Sequence, residues 1–477
     1  MRSSALAALA CLVGCAEPPP VVPAPPHGNP CVRDGRACVD MYVAAHEDDD
    51  LLFMNPDLWA SIAAGNRVVV VHVTAGDLPP DTVPDFTQYW IDRERGSLNA
   101  LTAMALGNAA SFDRYQPPGE VPAGWTAAIA TYGGLRVARY DLGSVTAVFL
   151  RLSDFQLDQA WNDQPGSGGQ LGGAMLPAGD TITLDCLDPV ACTLGTTIAA
   201  QQLTRDQLIG VLGELITSYA ADSVSVQDAS ALTPEGIHWD ELGTPGDGYT
   251  EYWDHVFGAA FTLAAATRAQ AMMATPLALR MYRGYTISHE PENYGDGDAL
   301  AKAQVFARYA VLDTSIVEPG ATFDVDHPKF HGGAYELDTP SSWQHRQYVT
   351  RTWLDGSPLQ GQLAAGAGCI GVANGGPAVV PCDGAPAWNV TATSQLQEAG
   401  TSSCLTVLAG GAVAVAGCTP QGDASTMFVL DNGQIRSAGA RCLALAAGDA
   451  LVSTDCDHEP LAPHATDLVP ASQRFSY

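Results

Sequence analysis

A chain of 477 residues, 47% of them hydrophobic, is long enough for two or three domains with sizeable cores. Its formal charge of -30 gives a surface that repels phosphate backbones, which excludes nucleic acid as an expected partner and suits a salty or extracellular setting.

The chain opens with Arg2 and an apolar run from Ala5 to Val13. That run is far short of the ~20 residues that span a bilayer, so residues 1–15 read as a signal peptide. Leu12-Val13-Gly14-Cys15 resembles the bacterial lipobox, which implies lipid attachment at Cys15 and an anchored protein of the bacterial cell envelope, on the outer membrane or cell surface. A Pro-rich tether follows over residues 16–38. Beyond Cys11 and Cys15 the cysteines fall into close pairs, Cys31/Cys38, Cys186/Cys192, Cys369/Cys382, Cys404/Cys418 and Cys442/Cys456, which read as disulfides in an oxidising compartment.

From residue 39 to about 350 strand and helix patterns alternate. Met41-Tyr42-Val43 ends a first strand and leads into Ala44-Ala45-His46-Glu47-Asp48-Asp49-Asp50. An imidazole and four consecutive carboxylates there are either solvated or gathered around a cation, because burying them unpaired costs several kcal/mol each. Asp57 to Ala64 reads as a helix capped by Asp57, and Arg67 to Thr74 as a β-branched strand closed by Ala75-Gly76-Asp77. Tyr89 to Leu106, Thr204 to Ala220 and Thr250 to Ala271 carry helical spacing, the second opened by a Thr-x-x-Gln capping box. Val145 to Leu152 and Ser223 to Val226 are further strands. The alternation predicts an α/β, Rossmann-like domain with a mostly parallel sheet, whose site lies beyond the carboxyl ends of the strands. His46, Asp77 and Asp228 should converge on that edge.

Hydrolysis at a metal needs about three protein ligands and a base. His46 and Asp49, spaced H-x-x-D on a tight loop, supply two ligands, and Asp48 is left as the base. The third ligand comes from His72, His238, His255 or His289. His72 sits in an apolar strand and reads as a core residue, His238 and His289 lie in polar loops, and His255 follows Asp254 at a helix start.

Ala45-His46-Glu47-Asp48-Asp49-Asp50 resembles the Ala-His-Pro-Asp-Asp-Glu signature of the PIG-L/LmbE-like zinc N-deacetylases, which de-N-acetylate N-acetylglucosamine conjugates. The likeness continues through Leu51 to Leu58, Val73 to Asp77, Tyr89-Trp90-x-x-Arg93-Glu94-x-Gly96, Gln227-Asp228 and Asp254-His255. It implies Zn2+ held by His46, Asp49 and His255, with Asp48 as general base, and removal of an acetyl group from an N-acetylated amino sugar or glycoconjugate. Arg93, Asp77 and Asp228 are the expected substrate contacts, and Asp254 supports the ligands from behind. Arg93 equally suits a salt bridge with Asp92 or Glu94 on its own helix. Glu47 replaces the signature's Pro, Asp50 its Glu, and Tyr252 the first His of His-x-Asp-His. Tyr252 is therefore the expected oxyanion donor, although a phenol is a poor proton shuttle at neutral pH. The alternative is a metal-binding but catalytically weak lipoprotein for carbohydrate recognition or adhesion.

Residues 351–477 change character. Gly361-Gln362-Leu363, Ser394-Gln395-Leu396 and Gly433-Gln434-Ile435 each precede a Cys-led strand at Cys369, Cys404 or Cys442, then a glycine turn, then a strand ending on a second Cys. This threefold repeat of 35 to 38 residues predicts disulfide-clipped hairpins. With Trp388 and Phe428 at Gln-x-Trp positions, it resembles the ricin-B type β-trefoil. Gly371, Thr406, Ala444, Pro386 and Thr426 occupy the places of that family's sugar-binding polar residues, so a structural or protein-docking role is expected as readily as a lectin.

Overall fold

A computed structural model describes residues 31–476, apart from segments 79–85, 108–123, 162–164, 166–175, 229–250, 318–320, 354–359, 391–394, 420–427 and 456–471 and several breaks of one to three residues. Cys15, His238 and Cys456 lie outside the described residues, as does Thr426.

The first strands, β1 (Val32–Arg33) and β2 (Arg36–Ala37), form a small hairpin closed by the Cys31–Cys38 disulfide. Residues 31–38 are thus folded, not tether: Arg33 and Arg36 reach the Asp222 carboxylate, which also accepts the Val39 amide. The central sheet contains β3 (Val39–Ala44), β4 (Arg67–Thr74), β5 (Thr126–Tyr132), β6 (Leu135–Leu142) and β7 (Val145–Leu152). Two short strands, β8 (Asp180–Ile182) and β9 (Gln202–Thr204), pair apart from it. The sheet is completed by β10 (Ser223–Gln227), β11 (Ala278–Tyr282) and β12 (Val349–Trp353), giving the order β12-β11-β10-β3-β4-β7-β6-β5. The run β11-β10-β3-β4-β7 is parallel, and antiparallel strands flank it on both sides. This is the α/β domain read from the sequence, although β12 carries the sheet past residue 350 to Trp353.

Burial on both faces explains why the strands read as unbroken apolar runs. Along β4, Val69, Val71 and Val73 enter one core while Val68 and Val70 enter the other, as a period of two requires. Each of these fully buried valines stabilises the fold by about 1.5–3 kcal/mol. Helices Arg205–Tyr219 and Trp253–Gln270 cover the first face. Leu208, Val211, Leu212 and Leu215 recur at helical spacing on the former, and the Thr204/Gln207 capping box forms as expected. Helices Phe86–Leu106 and Asp296–Ala310 cover the other face. The helix Asp57–Ala63 differs from expectation: Pro56 takes the cap position, and the Asp57 carboxylate accepts the Tyr282 hydroxyl at 2.7 Å. His72 is a buried core histidine, as expected, with Asp50 3.3 Å away.

The C-terminal region consists of small antiparallel sheets. The three repeat units are hairpins Gly368–Ala373/Gly376–Val380, Ser403–Val407/Val413–Gly417 and Arg441–Leu445/Leu451–Asp455. Ile370, Leu405 and Leu443 occupy equivalent buried positions after the leading cysteines. Bridges Ala378↔Ala450 and Ala412↔Val452 tie the first and second hairpins to the third. Cys186–Cys192, Cys369–Cys382 and Cys404–Cys418 are disulfides, as the spacing predicts. Among the described residues no helix is long and apolar enough to cross a membrane.

Candidate metal centre

The parallel strands deliver their carboxyl ends to one edge, and the acidic stretch begins there, directly after β3. The backbone amide of His46 donates to Asp49 Oδ2 at 2.7 Å, closing a tight turn. Asp48 then opens a short helix, Asp49–Phe53, its carbonyl accepting the Leu51 and Leu52 amides. That turn is what turns the H-x-x-D spacing into a pair: His46 Nδ1 lies 3.0 Å from Asp49 Oδ2. From the other side, the first turn of helix Trp253–Gln270 brings His255 Nε2 to 3.0 Å from Asp49 Oδ1. All three side chains are buried, and their ligating atoms lie within 4.8 Å of one another.

The donor set suits a divalent ion. Asp49 Oδ1 and His255 Nε2 stand 3.0 Å apart as a buried ion pair and have no partner besides each other, so both are available to an ion placed between them. Burial alone would raise the Asp49 pKa, but the imidazoles of His255 and His46 outweigh it and hold the carboxyl well below its usual range. Burial likewise disfavours the His255 imidazolium, yet Asp49 and Glu251 lift its pKa to about 9. The pocket thus strongly favours positive charge between these groups, which a cation supplies.

Asp48 stands beside the pair but is not free. Its Oδ1 accepts from Arg93 Nη2 at 2.8 Å. Burial pushes its pKa up, and the Arg93 guanidinium opposes that. Arg93 is fixed in turn: it donates to the Gly76 carbonyl at 2.7 Å and to the Tyr309 hydroxyl at 2.6 Å, with Asp313 Oδ2 at 3.2 Å. The salt bridge to Asp92 or Glu94 does not form, because Arg95 pairs with Asp92 and Arg151 with Glu94. Gly76 adopts φ +54°, and a Cβ there would stand 2.0 Å from Arg93 Nη1. Gly76→Ala should therefore unseat Arg93 and with it Asp48. We expect a loss of about 1–3 kcal/mol in stability, read as a lowered chemical-denaturation midpoint.

Asp77 and Asp228 follow β4 and β10 on the same edge, both buried. Both Asp77 oxygens are engaged, one by the Ser153 hydroxyl and one by the Asp154 amide, so Asp77 anchors the loop that follows β7. Asp254 accepts the Phe155 amide and lies 3.8 Å from His46 Nε2. Tyr252 immediately precedes the helix, with its ring 5.1 Å from that of His46 and 5.5 Å from that of His255. Burial, then Asp154 and Asp254, raise its pKa, so the phenol stays protonated and able to donate. Behind His255, Tyr285 lies 4.6 Å away in a T-shaped contact and stacks on Trp343, which also meets Phe53. The Trp343-Gln344-His345-Arg346 stretch thus packs behind His255 by way of Tyr285. Lys302 holds it in place by donating to the Trp343 and Arg346 carbonyls.

One participant escaped the sequence reading. Glu251 Oε1 lies 2.7 Å from His255 Nδ1 and accepts the Tyr252 and Tyr285 amides. The carboxylate on Nδ1 fixes the ring with Nε2 aimed at Asp49, the usual way a metal-binding imidazole is oriented. The i, i+4 spacing was the available signal, but Glu251 precedes the helix, so spacing alone does not put it on the same face. Glu251→Gln should weaken metal affinity about 10–100-fold, measured by competition with a chromophoric chelator.

No family model and no curated protein matches the chain. Among solved structures it is similar to N,N'-diacetylchitobiose deacetylase from Pyrococcus horikoshii, at 10% identity over 57% of this chain and 70% of that one, with a TM-score of 0.30. It is also similar to 4-carboxy-2-hydroxymuconate hydratase from Pseudomonas putida, at 9% identity over 60% of this chain and 92% of that one, with a TM-score of 0.31. The zinc-inhibited form of teicoplanin deacetylase Orf2 is similar at 13% identity over 58% of this chain and 85% of that one, with a TM-score of 0.26. At such scores these likenesses carry no weight beside the geometry of the site.

Proposed function

We propose that the α/β domain is a metal-dependent amide hydrolase that removes the acetyl group from an N-acetylated amino sugar or its conjugate. The observation carrying this reading is the convergence of His46, Asp49 and His255 on one buried place, with Asp48 pinned beside them by Arg93. These residues suit zinc, whose catalytic sites use three N/O protein ligands and leave a position open. When bound, the ion supplies Lewis-acid activation of a water molecule and of the acetamide carbonyl.

The chain's own groups do the rest. Asp48 takes the proton of the attacking water, and Arg93 keeps that carboxylate aimed. Tyr252 donates a hydrogen bond to the oxygen that becomes negative as the carbonyl carbon turns tetrahedral. Collapse breaks the C–N bond as Asp48 passes that proton to the leaving nitrogen, giving acetate and a free amine. The ordered likeness to the PIG-L/LmbE-like deacetylases supports an N-acetylglucosamine-type substrate, and Cys15 supports lipid anchoring in a bacterial envelope. The C-terminal hairpins support a β-trefoil with a structural or docking role. The test is acetate release from a panel of N-acetylated amino sugars and glycoconjugates by zinc-loaded protein. The reading requires release that is abolished by chelation and restored by zinc.

A further inference from the structure

His46 has a second face. Its Nε2 lies 3.9 Å from Asp154 Oδ1 and 3.8 Å from Asp254 Oδ2, too far for hydrogen bonds. Donor atoms sharing one ion at about 2.0–2.2 Å stand roughly 3.3–3.6 Å apart, so these spacings need to close by only a few tenths of an ångström. Asp154 is 5% exposed and Asp254 fully buried; Asp154 Oδ1, the atom nearest His46, has no hydrogen-bond partner, while on Asp254 Oδ2 accepts the Phe155 amide and Oδ1 has none. Among the described residues neither makes an ion pair with a lysine or arginine, and Asp77 packs its carboxylate behind the same loop. Two buried carboxylates, Asp154 and Asp254, therefore flank one imidazole nitrogen, and their oxygens and that nitrogen lie within 4.8 Å of one another. Once His46 gives its Nδ1 side to the ion between Asp49 and His255, that imidazole no longer offers them a full charge. Two buried carboxylates around one imidazole nitrogen make a donor set that a cation satisfies.

We propose that His46 bridges two ions as an imidazolate, its remaining ring N–H proton passing to solvent when the second ion binds: the one held with Asp49 and His255, and a second divalent cation held by His46 Nε2, Asp154 and Asp254. The inference rests on the reading of His46 as a ligand of the first ion. The second position has one nitrogen and two carboxylate donors, a set that accepts zinc or manganese.

The full-length chain is stripped with a chelator, reloaded with zinc alone and freed of excess by gel filtration. Zinc is then counted by mass spectrometry, and its positions are located by anomalous scattering at the zinc edge. The expected result is two zinc ions flanking His46 in the wild type. Asp154→Asn should keep only the ion at Asp49, and His255→Ala only the ion at Asp154. A single wild-type peak, or two peaks in Asp154→Asn, overturns the proposal. If a single peak is lost in His255→Ala and kept in Asp154→Asn, the hydrolase centre stands and only the second ion falls. If it is lost in Asp154→Asn alone, both readings fall. The wild-type crystal decides the matter even where a variant does not fold.

Discussion

Asp48→Asn should lower acetate release by about 10²–10⁴-fold while leaving zinc content unchanged, because it removes a proton acceptor without removing a ligand. The amide keeps the size of the carboxylate and can still accept from Arg93 Nη2, now 2.8 Å away. It cannot take a proton from water at neutral pH. The substitution also unbalances a buried ion pair. Stripping one partner from such a pair costs about 3–5 kcal/mol, but Arg93 retains Asp313 and the Gly76 carbonyl, so the loss should be smaller. Acetate assays at matched zinc occupancy, with thermal unfolding alongside, separate the lost base from a loosened fold. A variant within threefold of wild type at full occupancy would remove Asp48 from the role of base.

His255→Ala should empty the site. Removing the imidazole deletes one of three N/O donors and leaves Asp49 Oδ1 facing a void, so zinc bound between Asp49 and His46 should weaken by two or more orders of magnitude, about 3 kcal/mol or more. His238→Ala should leave affinity unchanged. Chelator competition on both variants reads this directly. The reverse ranking would assign the third ligand to His238.

What the sequence made legible is local. The H-x-x-D spacing, the Thr204 capping box, the β-branched run of β4 and the Cys-led hairpins all express contacts within a few residues, where periodicity and turn chemistry decide the geometry. The parts that were not legible depend on contacts between distant segments. Arg93 meets Asp48 across 45 residues and Tyr309 across 216, so no helix-face rule could prefer them to Asp92 or Glu94. The helix Asp296–Ala310 that supplies Tyr309 went unread although Ala299, Ala303, Phe306 and Ala310 keep helical spacing, because small residues give that stripe little contrast. Asp77 looked like a substrate group by its place after a strand. Its partners at Ser153 and Asp154, brought in by β7, were not legible there. The hairpin β5/β6 likewise extends a parallel sheet with antiparallel strands, which a pattern of alternating strands and helices does not encode.

The most direct test joins metal and turnover in one sample. Protein loaded with zinc to a measured occupancy is incubated with N-acetylated amino sugars and glycoconjugates, and acetate is quantified against the Asp48→Asn control and a chelated aliquot. The account predicts acetate in proportion to zinc held by His46, Asp49 and His255, and none above background in either control. Stoichiometric zinc with no acetate above the Asp48→Asn control on any substrate would contradict it.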